Sequence, residues 1–189
     1  MQKLLTKNIL LAVMLFFLIM LTRASHELTS LNLPDASLAI FIAAGIFLKH
    51  RKFLFLFVAL IVSVDVYMIN INNMTHINFE TSYLGHVFTY IFTWELGRKL
   101  LSGAKSLKAK LFFPIAFIAI VLSYIISFSS HYFLSGWVSH PNFYDGLSYL
   151  GSYFNSFFIP NAVYVAVLYI VFKITYKISK SSLFSNRSA

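Results

Sequence analysis

Cysteine is missing altogether from this 189-residue chain. That excludes disulfides, thiolate metal sites and thiol nucleophiles, and leaves any metal to nitrogen or oxygen ligands. Charge is scarce as well: there are six Asp and Glu, and charged residues of all kinds make up 11% of the chain, where an ordinary soluble protein carries about a quarter. No G-x-x-x-x-G-K-[ST], G-x-G-x-x-G or H-E-x-x-H motif occurs, so no known nucleotide loop and no zincin helix is encoded. What the chain has instead is apolar surface: 59% hydrophobic residues, with 21 Phe and 11 Tyr. Such a composition excludes a soluble domain and makes the bilayer the solvent. The net charge of +9 is compatible with nucleic acid or with an anionic membrane surface, and the positions of the charges decide between them.

Apolar runs alternate with short polar connectors and read as six membrane-spanning helices of a single all-α domain over residues 1–178. The spans are Asn8 to Leu21, Leu33 to Leu48, Phe53 to Ile71, Thr81 to Leu96, Leu111 to Leu134 and Phe157 to Ile178. About 20 residues are needed to cross roughly 30 Å of hydrocarbon. The second run, at 16 residues, covers only about 24 Å, so it is expected to leave a depression at one surface. The first run also resembles a signal peptide, with Lys3 and Lys7 ahead of it. Its cleavage site around Thr22, Arg23 and Ala24 is poor, and it is read as a span. The Ser-rich end, residues 179–189, reads as a disordered tail.

Lys and Arg fall almost entirely on one side. Fourteen of the fifteen lie near Lys3 and Lys7, between Lys49 and Lys52, between Arg98 and Lys110, or beyond Lys173. By the positive-inside rule these segments and both termini are cytoplasmic. The basic run Lys49, His50, Arg51, Lys52 sets topology, with anionic lipid binding a minor addition. Nucleic acid is therefore not an expected partner, and the location is the cytoplasmic (inner) membrane.

Polar groups inside an apolar helix carry the functional signal, because a charge at the centre of a span costs about 2.5 to 3.5 kcal/mol on insertion scales. Asp65 sits in the outer half of the third span and is read as facing the bundle interior, either as an acceptor that fixes helix packing or as the wall of an outward-facing site. Arg23, the exception to the charge rule, either snorkels to the interface or clamps an anion or carbonyl at the site mouth. Asp35 follows Pro34 at the start of the second span, where a carboxylate complements the positive helix end. Tyr83, His86, Tyr90 and Trp94 recur at i, i+3, i+7 and i+11 on one helix face. That stripe serves packing or ligand contact, with the His86 imidazole a possible metal ligand. Imidazoles and amides, among them His26, Asn32, His76, Asn78 and His131, cluster in the outer connectors. A polar ligand with many amide or carbonyl groups would suit them. A long outer connector carrying Trp137, Phe143, Tyr144 and Tyr149 reads as an interfacial belt or a lid.

Leu21-Thr22-Arg23, then His26, then Asn32-Leu33-Pro34-Asp35-Ala36-Ser37 resembles the opening of the BtuM-type cobalamin transporters, small six-span proteins similar to the S-components of energy-coupling-factor transporters. Asp65, then Trp94, Gly97 and Arg98, then Tyr132, Phe133, Ser135 and Gly136 match further points in order. The resemblance implies an S-component-like bundle and an outward-facing cavity that binds cobalamin, with Arg23, His26, Asp35, Asp65, Tyr83 and Tyr132 carried over as site residues. Family members can ligate cobalt through a cysteine, and Asn78 occupies that position here, so no thiolate bond can form. His76 or His86 would be the replacement axial ligand, imidazole being a natural ligand for cobalt.

Uptake of cobalamin or a related corrinoid is thus the expected function, with no cofactor of the protein's own and with an energy-coupling ATPase module as a conceivable partner. Two other classes stay open: a membrane enzyme that modifies a corrinoid or lipid through His76, His86 and Asp65, and a non-catalytic scaffold subunit. Ala39 and Ala43 give a small-xxx-small spacing, for docking or for packing within the bundle.

Overall fold

A computed structural model describes residues 2–23, 33–48, 50–71, 79–101 and 108–185. Among the described residues nearly all are helical and no strand occurs. Six α-helices follow one another among these residues: α1 (Gln2–Arg23), α2 (Ser37–Phe47), α3 (Arg51–Ile71), α4 (Phe79–Leu96), α5 (Ala109–Leu134) and α6 (Phe143–Ser185). A π-helical turn, Gly97–Leu101, extends α4.

Three of the helical stretches are long and apolar enough to cross a membrane: Arg51–Asn70, Ala109–Leu134 and Phe143–Ile174. Their large side chains face outward in quantity, Phe55, Phe117 and Ile170 each being more than half exposed, as lipid-facing helices require. Asn8–Arg23 and Ser37–Phe47 are shorter apolar stretches. α4 is less apolar because its interior face carries Tyr83, His86, Thr89 and Thr93, which a helix enclosed by its neighbours can accommodate.

α2 organises the bundle. Ten consecutive residues, Ser37 to Ile46, are buried, and the helix contacts α1, α3, α4 and α6. A helix apolar on every side belongs in an interior, and α2 is short, at 11 residues. One face, with Phe41 and Ala44, packs into a core formed by Ala12, Leu15 and Ile19 of α1, Phe57 and Ile61 of α3, and Tyr90 and Trp94 of α4. The other face, with Ala39, Ile42 and Ile46, packs against Phe112, Ala116 and Ala119 of α5 and Val165 of α6. Ala39 and Ala43 are 3% exposed, so their spacing serves close packing within the bundle.

The α2–α4 crossing depends on two glycines. A Cβ on Gly97 would stand 2.5 Å from the Ile42 carbonyl oxygen, and one on Gly45 would collide with the Trp94 carbonyl. Backbone atoms on both sides leave no flexible group to yield. At the same end, Glu95 accepts from Arg98 Nε at 3.0 Å and from Arg51 Nε at 3.2 Å, joining the end of α4 to the start of α3.

Two stretches differ from the sequence reading. The sixth span was expected to start at Phe157, but α6 starts at Phe143, which shortens the connector after α5 to residues 135–142. Asn142 initiates it: its side-chain oxygen accepts the Asp145 N–H at 3.0 Å, the N-cap arrangement that starts a helix, and Pro141 stands just ahead of it. Of the aromatic residues read as a belt or a lid, Phe143, Tyr144 and Tyr149 therefore lie on a helix and Trp137 stays in the connector, with Tyr124 Oη donating to the Leu150 carbonyl. At the other end α6 continues past Ile178 to Ser185, through the first part of the segment read as a disordered tail. At 1.5 Å per residue its 43 residues extend about 65 Å, more than any bilayer core requires.

Gly97→Val is expected to destabilise the fold by about 1 to 3 kcal/mol through overpacking at the α2–α4 crossing. The same change at Gly151, which has no neighbour within 4 Å of a Cβ, should cost about 1 kcal/mol or less. Chemical denaturation in detergent measures both. Equal midpoints for the two variants would show that the crossing is not the constraint described.

Candidate functional site

The site lies where α1 and α3 end and α2 and α4 begin. Arg23 is the last residue of α1, and its side chain is only 14% exposed. Nε donates to Asp65 Oδ1 at 2.6 Å and Nη2 to Asp65 Oδ2 at 2.5 Å. This is the bidentate fork that a guanidinium forms with a carboxylate. Nη1 turns the other way and donates to Asp35 Oδ2 at 2.7 Å and to Ser37 Oγ at 3.3 Å. Tyr83 Oη donates to Asp65 Oδ2 at 2.5 Å. Four sequence-distant positions therefore form one hydrogen-bonded network.

Local structure prepares each member. Asp35 Oδ1 accepts the Ser37 N–H at 2.9 Å and the Ser37 hydroxyl at 2.5 Å, so one carboxylate caps α2 with one oxygen and holds Arg23 with the other. Thr22 Oγ1 donates to the Leu18 carbonyl and accepts the Ala36 N–H at 3.4 Å, which tethers the entry of α2 to α1. Below the network the Arg23 guanidinium carbon lies 5.7 Å from the Tyr90 ring centroid, and Tyr90 stacks on Phe41 at 4.8 Å. The guanidinium is thus bonded at its edge and covered on a face by an aromatic ring.

Two cavities flank this network. The first, about 260 Å³, is lined by Arg23, Asp65, Ser82, Tyr83, His86 and His131. The second, about 350 Å³, has Asp35, Thr89, Tyr90, Ser127, Ser156 and Asn161 in its wall. Arg23 and His86 belong to both. They form the partition between them.

The aromatic stripe of α4 serves the core and the cavities together. Trp94 is a core residue, meeting Phe41 and Phe57 edge to face. Tyr83 and Tyr90 belong to the same core and also line a cavity each. His86, its ring centroid 5.7 Å from that of Tyr83, lines both cavities. Asp65 likewise fixes packing, through Tyr83, and forms a cavity wall.

Arg23, Asp35, Asp65, Tyr83 and His86 are therefore brought together. Tyr132 lies apart from them: it is 5% exposed, packs on Tyr149 at 5.3 Å and backs against Gly146. His26, His76 and Asn78 lie outside the described residues. No group of three His, Asp or Glu side chains is placed to hold a metal ion among the described residues. Asn161 and Ser156 escaped the sequence reading. An amide next to Pro160 in the middle of an apolar run was the available signal.

No protein-family model and no curated protein matches this chain.

Asp65→Asn should destabilise the protein by about 3 to 5 kcal/mol, because it leaves the buried Arg23 without its bidentate partner. Asp35→Asn should cost about 1 kcal/mol, since that carboxylate is 46% exposed and solvent screens its pair with Arg23. Denaturant titration of the two variants provides the comparison, and a cost for Asp35→Asn equal to that for Asp65→Asn would contradict the assignment of Asp65 as the principal counterion.

Proposed function

We propose that this chain is a six-span protein of the cytoplasmic membrane, S-component-like, with both termini inside, that binds cobalamin or a related corrinoid at its outer end and carries it inward. One observation carries the reading: Arg23, Asp35, Asp65 and Tyr83, four of the six residues to which the resemblance points, meet in a single hydrogen-bonded network beside two cavities. A charged network that only held helices together would need no open space around it. The charge distribution supports the orientation, since Arg51, Lys52, Arg98, Lys99, Lys108 and Lys110 all lie at the end of the helices opposite Arg23.

Size restricts how the ligand sits. Neither cavity, at about 260 and 350 Å³, holds a whole corrinoid, so the macrocycle rests over the Arg23 partition and the cavities receive its peripheral groups. The network is suited to such a ligand. It places polar side chains that are already held by one another, so little ordering cost falls on binding. His86 lines both cavities and is the imidazole proposed for cobalt, with His76 the alternative that the resemblance suggests. An energy-coupling ATPase module and membrane lipid are the partners of this reading.

Isothermal titration of the detergent-purified protein with cyanocobalamin and cobinamide tests it, with absorption spectra taken on the same samples. Binding at micromolar or tighter levels is expected. Arg23→Ala should weaken it by about tenfold or more, as for loss of a charge-assisted contact. A spectral shift abolished by His76→Ala or His86→Ala identifies an axial imidazole. Absence of binding by either corrinoid overturns the reading.

A further inference from the structure

The second cavity carries a feature that the Arg23 network does not use. Asn161 of α6 is 5% exposed and lines the cavity. Its Nδ2 donates to the Phe157 carbonyl at 2.9 Å, which fixes the orientation of the amide. Its Oδ1 is buried and accepts nothing. One residue earlier stands Pro160, also in the cavity wall. Proline has no N–H, so it cannot donate to the carbonyl of Ser156 four residues before it. Ser156 lines the same cavity. Asn161 Oδ1 is therefore a buried acceptor without a donor, which costs about 1 to 3 kcal/mol, and the proline removes the intrahelical donor of the Ser156 carbonyl.

We propose that the cavity formed by Ser156, Pro160 and Asn161 of α6 with Thr89 and Ser127 is a binding subsite for a primary amide of the ligand. The inference rests on the corrinoid reading of the site. A primary amide brings two N–H donors on one nitrogen, matching Asn161 Oδ1 and the lone pairs of Thr89 Oγ1, whose own proton goes to the His86 carbonyl at 2.7 Å. Ser127 supplies a hydroxyl for its carbonyl. A cation is not suited to the cavity, because all four carboxylate oxygens of Asp35 and Asp65 already accept hydrogen bonds. A carboxylate is not suited either, because the one cation in the wall, Arg23, is already paired with the two carboxylates of Asp35 and Asp65. At about 350 Å³ the space holds a side chain of the macrocycle, and the corrin rim carries short side chains that end in primary amides.

The test uses the full chain in detergent, cyanocobalamin, and its monocarboxylic derivatives, in each of which one peripheral amide is replaced by a carboxylate. Asn161→Leu should bind cyanocobalamin about three- to tenfold more weakly, the effect of one neutral hydrogen bond. One derivative should bind the unaltered protein at least as much more weakly, and the two losses should not add. Ser156→Leu gives a second variant, at an exposed position where folding does not depend on the side chain, and should reproduce the loss by filling the cavity. Unchanged affinity in both variants, or equal affinity for every derivative and the parent, overturns the subsite while leaving corrinoid binding intact. If the unaltered protein binds no corrinoid, the reading of the whole site falls and this subsite with it.

Discussion

A guanidinium that is 14% exposed at the end of an apolar helix must be answered by charge, and everything at this end of the bundle is arranged around that requirement. The cost of leaving it unpaired is several kcal/mol. Asp65 answers it with both oxygens, and so the end of α1 is held against the last third of α3. Asp35 answers the remaining nitrogen while capping α2, which ties the start of the central helix to the same point. Tyr83 completes the set from α4. One cation thus sets the mutual heights of four helices. The polar groups also prevent the space beside them from closing, since apolar side chains could fill the cavities only by stripping partners from the network.

The opposite end of the bundle is built on a different principle. There α2 and α4 meet backbone to backbone at Gly45 and Gly97, with Trp94 fully buried beside them. Lipid tails are as apolar as leucine, so burial from water gives little drive for helices to associate within a membrane, and close van der Waals fit must supply it. A short helix without any exposed face makes that fit on two sides at once, with α1, α3 and α4 on one and α5 and α6 on the other. The result is a bundle tight at its basic end and open at its Arg23 end. That polarity is what a binding protein with one ligand-accepting face needs.

Much of this was legible in the sequence because membrane helices are specified locally. Apolar runs of sufficient length announce themselves, and the short run before Lys49 already implied a helix that could not reach both surfaces. Asp65 and Arg23 stood out because charge in an apolar run is costly and needs a reason. The extent of α6 was not legible: the Phe143 to Phe157 stretch is rich in Gly, Ser and aromatic residues, which local propensity reads as a connector. Packing of Tyr149 and Tyr153 on Phe128, and Asn142 acting as a cap, make it helix. The roles of the α4 rings were also hidden, because periodicity places four rings on one face and cannot say which of them meet a core, a cavity or both.

The sequence by itself determined that this is a helical protein for a lipid environment, where the apolar stretches of its helices lie, and which charged groups within them demand partners. Those properties follow from the cost of polar groups in hydrocarbon, which each segment pays alone. Only the tertiary structure decided that Arg23 takes Asp65 with two bonds and Asp35 with one, that Tyr132 packs away from them against Gly146, and that Asn161 keeps a free acceptor at a cavity wall. Partner choice and empty space depend on how helices far apart in the chain are placed against one another. No periodicity along a single helix contains that information.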